Sequence, residues 1–500
     1  MEIRRNDIFD PSETTSWLTG LANKLHITTR EGVVRRELLI SPGEPYDSAR
    51  AAETARNLRS LGVFRQVQVD SVRTDSGLVM QIITHDGWST RPDFRFRSTG
   101  GQAEYTLAFI EDNLFGTATQ ASVKYRKNTD RTTTSFGFLQ PRFISRNIRL
   151  GLEYQDRSDG RRYGALAGRP FYSLESPLGF LFFLDNRQEQ VLQFANGGRI
   201  AADSFERRYN LERIEAAVAL RRSAAGYLRA GLIAQVRSDE LIQETTALPV
   251  VRTGTTGAIG AYLESRHARY ILAQGFVGFG REEDVDVSTT IRLGAMAAPT
   301  ALGYRENGIA PFLAGRTGTS FGAGFLFADL RANGLYTSSG LDSGFVTLGA
   351  TMVLQPAARH TLVLHGDAGW IRNTIPGEEF DLGLGTGPRA FRSHAFTGDR
   401  TYYATAEYRY TVAEELWKVV GVGLGAFVDH GGAWYNGSPH RTGWDAGVGL
   451  RLGASRAAGV EAIRIDLARR FANDVDGAGW VLVVGKGLTF STAPGSNRGL

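Results

Sequence analysis

The sequence predicts a mainly β protein in which a small α+β domain precedes a large antiparallel β-barrel that crosses a membrane. Three observations lead to this fold class. From about Asp93 onward, apolar and polar side chains alternate along segments of about ten residues, which is typical of membrane-spanning strands. Before that point, apolar residues recur at helical spacing. Sixty glycines against fifteen prolines, without a collagen period, indicate many strand ends and turns.

Composition and charge exclude several classes of protein. The chain has no cysteine, so neither a disulfide scaffold nor a thiolate metal site is expected. It has no run of about 18 apolar residues, which argues against a transmembrane helix. The net charge of +5 comes from arginines that are spread along the chain, so we expect no nucleic-acid partner. The first residues lack the pattern of a signal peptide, so the protein either stays in the cytosol or is a mature or trimmed chain. The rest of the sequence favours the mature or trimmed chain.

Residues 1–87 form the predicted α+β domain, which opens with a short strand. Four apolar residues at helical spacing then predict a first helix: Trp17, Leu18, Leu21 and Leu25. Asp47 is the expected N-cap of a second helix, and Gly62 is the expected residue just after its end. Two strands follow, in residues 64–72 and 78–83. The predicted element order is β-α-α-β-β.

Three stretches of this domain resemble the POTRA domain, the periplasmic module of the Omp85 superfamily of outer-membrane proteins. They are Val34-Arg-Arg-Glu-Leu38, Gly43-Glu-Pro-Tyr-Asp47 and the eleven residues from Asn57 to Val67. The resemblance covers residues 1–87 and implies a periplasmic location for this domain. An unrelated α+β domain with the same element order is the alternative.

Residues 88–490 form the predicted barrel, and residues 491–500 a polar C-terminal tail. In residues 147–155, Ile148, Leu150, Leu152 and Tyr154 share one face. A soluble sandwich would also alternate, but aromatic residues near the segment ends and the lack of helical interludes favour a membrane barrel. The sequence offers more than sixteen candidate strands. The resemblance to the superfamily, whose barrel has sixteen strands, implies about sixteen here.

A long glycine-rich loop, residues 383–400, separates two of these strands. Its segments Arg389-Ala-Phe-Arg392 and Phe396-Thr-Gly-Asp399 resemble the loop-six signature of the superfamily. Pro388 and Ala390 depart from that signature. In the family, the loop folds back into the barrel lumen and its arginine pairs with acidic groups on the inner wall. The resemblance singles out the loop residues Arg389, Phe391, Phe396, Gly398 and Asp399.

The alternation along two later strands indicates which carboxylates could pair with Arg389. Tyrosines and alanines form the apolar face of residues 402–410, so Glu407 points inward. Leu424, Ala426 and Val428 face lipid in the next strand, so Asp429 points inward. Since a guanidinium can bind carboxylates bidentately, we predict a pair between Arg389 and Asp429, with Glu407 as second partner. Phe427, Asp429 and Gly431 also resemble the family's Phe-x-Asp-x-Gly strand.

The resemblance implies an assembly or insertion factor for other outer-membrane proteins. The first barrel strand, near Asp93–Ser98, is short and arginine-rich, so its seam with the last strand, residues 481–490, is expected to be weak. Such a seam can open and offer an edge to a client strand by β-augmentation, with the loop bracing the lumen opposite it. The residues expected at the seam are Phe94, Phe96, Trp480 and Phe490.

We predict no enzyme activity, no catalytic residues, no cofactor and no metal. The expected location is the outer membrane of a Gram-negative-type bacterium. The expected partners are outer-membrane lipid and lipopolysaccharide, unfolded β-barrel clients, and periplasmic chaperones or accessory lipoproteins. Two alternatives stay open: a two-partner-secretion transporter that threads one polypeptide through the barrel, and a passive porin.

Overall fold

The structure is a computed structural model that describes residues 1–9, 12, 14, 17–75, 77–99, 102–143, 148–194, 197–198, 200–243, 254–276, 278–279, 282–372, 379–455 and 461–490. The predicted tail, residues 491–500, lies outside this part of the chain. The helices are α1 (Trp17–Leu25), α2 (Glu31–Glu37) and α3 (Ser48–Ser60), with two 3-10 turns at Leu114–Gly116 and Thr300–Leu302. No helix of the described residues has the length and apolar character of a membrane span.

The strands, numbered in chain order, are β1 (Glu2–Asn6), β2 (Phe64–Thr74), β3 (Gly77–Asp86), β4 (Thr90–Thr99), β5 (Gln102–Glu111), β6 (Gln120–Lys127), β7 (Thr132–Gln140), β8 (Arg149–Arg157), β9 (Gly160–Arg169), β10 (Leu178–Gln193), β11 (Asp203–Ser223), β12 (Gly226–Gln243), β13 (Gly254–His267), β14 (Tyr270–Gln274), β15 (Glu282–Asp286), β16 (Thr289–Ala298), β17 (Gly308–Phe321), β18 (Gly324–Thr337), β19 (Gly340–Ala357), β20 (His360–Arg372), β21 (Phe380–Leu382), β22 (Phe396–Gly398), β23 (Arg400–Leu416), β24 (Val420–Trp434), β25 (Thr442–Ala454), β26 (Ile463–Arg470) and β27 (Gly479–Lys486).

The N-terminal domain contains a three-stranded sheet in the order β1-β3-β2, and α2 and α3 share an apolar core with this sheet. Helix α3 begins and ends as predicted: Asp47 accepts hydrogen bonds from two backbone N–H groups of the first turn, and Gly62 follows with a φ of 72°. Helix α2 was not predicted, because seven residues are too few to establish a helical period. Its Val33 and Val34 are buried in the core of this domain. The domain thus has three helices where the sequence predicts two.

Twenty strands of the described residues form one antiparallel barrel: β4–β13, β16–β20 and β23–β27. The count of about sixteen strands is therefore wrong. It came from the family resemblance, whereas the additional candidates in the sequence are separate strands, each with its own register. The predicted alternation is confirmed along β26, where Ile463 and Leu467 are exposed on the outer face while Arg464 and Asp466 are buried inside.

The barrel closes at a weak seam between β27 and β4. Strand β4 pairs with β5 along its full length, and β27 pairs with β26 along its full length. Within the described residues, β27 and β4 are in register at one position only, Val483 opposite Arg97. Strand β4 is longer than predicted. Among the described residues, most of the edge of β4 that faces β27 lacks a backbone partner on that strand.

Two connections carry short hairpins of their own. We call the described residues 270–276, 278–279 and 282–286, which contain β14 and β15, the mouth hairpin, and residues 379–399, which contain β21 and β22, the lumen loop. Because successive strands are antiparallel, the mouth hairpin lies at the barrel end next to the N-terminal domain, the near end. The lumen loop lies at the opposite, far end. The two insertions therefore belong to different ends of the barrel.

The predicted position of Phe490 is wrong. The sequence places it on the same face as Trp480, in one continuous last strand. In the structure β27 ends at Lys486 and Gly487 has a φ of 63°, a left-handed conformation that redirects the chain. Phe490 then packs inside the barrel against the apolar cluster of the mouth hairpin.

Candidate functional site

The lumen loop has a compact backbone of its own. Strands β21 and β22 pair antiparallel, with Phe380 opposite Gly398 and Leu382 opposite Phe396. Gly383 follows β21 with a φ of 152°, and a Cβ atom there would lie 2.0 Å from the carbonyl oxygen of Arg392. Only glycine allows this close approach, which closes the loop tip between the two short strands.

Arg389 lies at the loop tip and is the centre of a buried ion-pair network. Its Nε atom lies 2.6 Å from Oδ2 of Asp429, and its Nη2 atom lies 3.1 Å from Oδ1, a bidentate contact. Its Nη1 atom lies 3.2 Å from Glu407 and 3.1 Å from Asp466. The guanidinium also lies 3.5 Å from the centre of the Phe427 ring. The structure thus brings Arg389 together with both carboxylates that the sequence proposes.

Further charges on the inner wall compensate this network. Arg451 contacts both Glu407, at 2.9 Å, and Asp466, at 2.5 Å. Asp445, which is opposite Asp429 in the β24–β25 ladder, accepts a hydrogen bond from the backbone N–H of Ala390. Sequence reasoning did not name Arg451, Asp445 or Asp466 as members of this network. The signal was present, since the alternation along β26 already puts Asp466 on the inner face.

The aromatic residues of the loop fill gaps above glycines of the wall. Phe391 is fully buried, and a Cβ atom on Gly443 would lie 2.2 Å from its ring. Phe396 lies next to it, with the ring centres 5.0 Å apart. A Cβ atom on Gly398 would lie 2.1 Å from the backbone of Trp434, and one on Gly431 would lie 2.7 Å from the carbonyl oxygen of Tyr402. These glycines allow the loop and the wall to approach closely.

The loop is also tied to other far-end connections. His394 lies 2.9 Å from Asp130 and 2.6 Å from Asp381, and its ring stacks on Phe194. Burial lowers the pKa of His394, but the hydrogen bonds that its imidazole donates to the two carboxylates outweigh burial and raise the pKa to about 10. Asp399 accepts a hydrogen bond from the backbone N–H of Asn436, outside the arginine network.

The loop tip lies beside the seam, so the predicted position opposite the seam is wrong. Ala390 packs with Val481 and Val483 of β27. Ser393 donates a hydrogen bond of 2.7 Å to Glu104 of β5. Since β4 lies between β27 and β5, the loop bridges the seam from the inside. The prediction could not place the tip, because a loop's direction depends on contacts that strand alternation does not encode.

The residues predicted at the seam lie in different places. Phe94 and Trp480 are exposed on the outer face of β4 and β27, with 56% and 63% of their surface accessible. Phe96 is half-buried on β4, whereas Phe490 lies inside the barrel. A polar contact that was not predicted, 3.5 Å between Lys486 and Asp93, joins the two seam strands near the N-terminal domain.

Comparisons with known proteins give local matches in sequence. No protein-family model matches the chain. The outer membrane protein assembly factor BamA of Neorickettsia risticii is 26% identical over 139 residues, which are 26% of this chain and 18% of that protein. BamA of Neisseria meningitidis is 28% identical over 140 residues, 26% of this chain and 17% of that protein. The match thus spans less than a fifth of the length of these relatives.

Two solved structures align with most of this chain, with TM-scores below 0.5. BamA from Haemophilus ducreyi lacking POTRA domains 1–3 has a TM-score of 0.40 at 11% identity, covering 97% of this chain and 84% of that one. CdiB from Escherichia coli has a TM-score of 0.48 at 11% identity, covering 92% and 74%. The sequence matches to two BamA proteins agree with the resemblance to the Omp85 superfamily that the POTRA-like and loop-six-like motifs carry.

Proposed function

We propose that this protein inserts unfolded β-barrel proteins into the outer membrane of a Gram-negative-type bacterium, with residues 1–87 as a POTRA domain in the periplasm. The observation that carries the proposal is the seam, where β27 and β4 are in register only at Val483 and Arg97 among the described residues. An edge strand with unpaired backbone groups is a template for another strand. A client strand can therefore pair with the free edge of β4 by β-augmentation.

The lumen loop supports this mechanism because it can hold the barrel together while the seam is open. Its tip contacts β27 through Ala390 and β5 through Ser393. The network of Arg389 joins the same tip to β23, β24 and β26. Separation of β27 from β4 would therefore leave both sides of the opening attached to a common internal brace.

The N-terminal domain supplies a second free edge. Strand β2 lies at one edge of the three-stranded sheet, and its residues 70–74 are mostly exposed. An extended client could add to this edge and then pass to the barrel. Secretion through the lumen is the alternative, and two features oppose it: the lumen loop and the mouth hairpin both occupy the path that a threaded polypeptide would take.

Reconstitution into liposomes with the N-terminal domain outside tests the proposal. A urea-unfolded outer-membrane barrel protein is added, and its folding is followed by protease protection and by electrophoretic mobility without boiling. We expect the client to fold in the membrane faster than in protein-free liposomes. A client that arrives unfolded in the liposome interior would indicate secretion, and equal folding rates with and without the protein would falsify the proposal.

A further inference from the structure

We infer that the mouth hairpin and the segment that follows β27, residues 487–490, form an internal plug at the near end of the barrel, and that helix α3 of the N-terminal domain holds this plug in place. The inference does not depend on whether the protein inserts or secretes clients. It concerns the connection between β13 and β16, which belongs neither to the predicted loop motif nor to the seam.

The plug packs on one wall through apolar side chains. Phe276 and Val285 of the hairpin lie in a buried cluster with Phe325 and Phe327 of β18. The Phe276 and Phe325 rings meet edge to face, with centres 5.2 Å apart. Leu326, between the two phenylalanines, is exposed on the outer face. The cluster therefore lies on the lumen side of the wall, where a polar, water-filled interior would otherwise be expected.

The same hairpin also contacts β23, β24 and β25, which lie three to five strands beyond β18 in the barrel. A Cβ atom on Gly421 would lie 2.3 Å from Phe279, and one on Gly453 would lie 2.7 Å from it. The absence of side chains at these glycines of β24 and β25 therefore leaves space for the Phe279 ring against the wall. Arg409 of β23 donates a hydrogen bond of 2.8 Å to the backbone oxygen of Phe276. The hairpin starts between β13 and β16, so its contacts with β18, β23, β24 and β25 place it along the lumen side of a continuous part of the wall.

Residues 487–490 complete the plug and join it to the seam. The Phe490 ring stacks on His365 of β20 with centres 3.7 Å apart, and it packs beside the hairpin cluster. Tyr403 donates a hydrogen bond of 2.9 Å to Thr489. This segment follows β27 directly, since β27 ends at Lys486. Movement of the plug would therefore release the near end of the same strand that closes the barrel.

Helix α3 holds the hairpin through its basic face. The Nε and Nη2 atoms of Arg59 lie 2.5 and 2.9 Å from the two carboxylate oxygens of Asp284. The guanidinium of Arg56 lies 4.4 Å from the ring centre of Tyr270. A cavity of about 660 Å³ lies between α3, the β9–β10 connection and the hairpin. The contact between α3 and the plug is thus formed by a few side chains around a space into which the hairpin can move.

Chemical labelling of one introduced cysteine tests the plug, because the native chain contains no cysteine. Val353 is fully buried behind the hairpin, in the same apolar cluster. Val353→Cys in the full chain, reconstituted in liposomes with the N-terminal domain outside, is treated with a membrane-impermeant maleimide. We expect slow labelling. Rapid labelling of the folded protein would overturn the plug itself.

Charge reversal at the ion pair between Arg59 and Asp284 tests whether α3 holds the plug in place. In the Val353→Cys background, Asp284→Arg should accelerate labelling by about tenfold, and the swap Arg59→Asp with Asp284→Arg should restore the slow rate. Glu175→Arg is the matched control, since Glu175 pairs with Arg50 of the same helix at 2.9 Å but lies on the β9–β10 connection. If Asp284→Arg and its parent are labelled at the same slow rate, α3 does not hold the plug through this ion pair. If Asp284→Arg does not fold, the labelling rate of Arg59→Gln is measured in the same background, with the same expected increase.

Discussion

The guanidinium of Arg389 donates two hydrogen bonds to the carboxylate of Asp429, from Nε at 2.6 Å and from Nη2 at 3.1 Å. Both side chains are buried: 3% of the arginine side chain and none of the aspartate side chain are accessible. A charge pair in such a place is stable only when both members are present, because each would otherwise be an unpaired buried charge. The pair therefore fixes the loop tip relative to β24.

Removal of Arg389 should loosen the lumen loop and destabilise the barrel. In Arg389→Ala, Asp429, Glu407 and Asp466 lose a shared cation, and breaking a buried pair in this way costs about 3–5 kcal/mol. The measurement is the temperature at which the detergent-solubilised barrel loses its compact electrophoretic form. Arg400→Ala is the control, because that arginine lies at the loop's end outside the network. Equal unfolding temperatures for Arg389→Ala and the wild type would contradict the role of the network.

A methyl group on Gly443 should displace Phe391. The added Cβ would lie 2.2 Å from the phenyl ring, so either the ring or strand β25 must move, at a cost of about 1–3 kcal/mol. Gly443→Ala should therefore unfold at a lower temperature, and Phe391→Ala in the same chain should make the added methyl group nearly neutral. Gly315→Ala serves as control, since nothing lies within 4 Å of a Cβ at that position. Additive effects of the two substitutions would argue against the contact.

The contact of His394 with Asp130 and Asp381 should make stability depend on pH. The folded state raises the pKa of His394 from about 6.5 to about 10. The stabilisation is therefore fully present below about pH 6.5 and is lost as the pH rises through about 10. His394→Asn removes the cation, and asparagine tolerates the positive φ of 57° at this position.

The measurement is the unfolding temperature of wild type and His394→Asn between pH 6 and pH 10.5. We expect a gap that is largest at the acidic end and closes at the alkaline end. His440→Asn is the control, because its imidazole stacks on Trp434 in another far-end connection. A gap that is constant over the whole pH range would show that the protonated imidazole is not what stabilises the loop.

Period-two alternation predicted most of what depends on the direction of single side chains. It put Glu407 and Asp429 on the inner face of adjacent strands, which is where the structure has them. Strand alternation is a local property, so one sequence suffices to read it. The same argument applied to β26 would have added Asp466, and in β25 Asp445, to the partners of Arg389.

Features that depend on distant contacts were not accessible in this way. The left-handed turn at Gly487 sends Phe490 into the lumen, although its spacing fits a continued strand. The mouth hairpin interrupts the barrel pattern between β13 and β16, and its Phe276 packs on residues about fifty positions later. Such packing partners are chosen by shape and burial rather than by periodicity. The predicted count of sixteen strands failed for a related reason, because it came from the family resemblance and not from the strands that the sequence itself marks.

The most direct test of the account is a disulfide across the seam. Arg97 and Val483 are register partners on β4 and β27, and such partners have Cα atoms about 4.5–5.5 Å apart, within the range of a disulfide. Phe96→Cys with Tyr105→Cys is the matched control, because it joins β4 to β5 and leaves the seam free. The rate of client insertion into liposomes is measured for each pair before and after reduction. We predict that the oxidised Arg97→Cys, Val483→Cys protein stops inserting clients and recovers on reduction, whereas the control stays active throughout. Insertion at the wild-type rate with the seam covalently closed would contradict lateral opening.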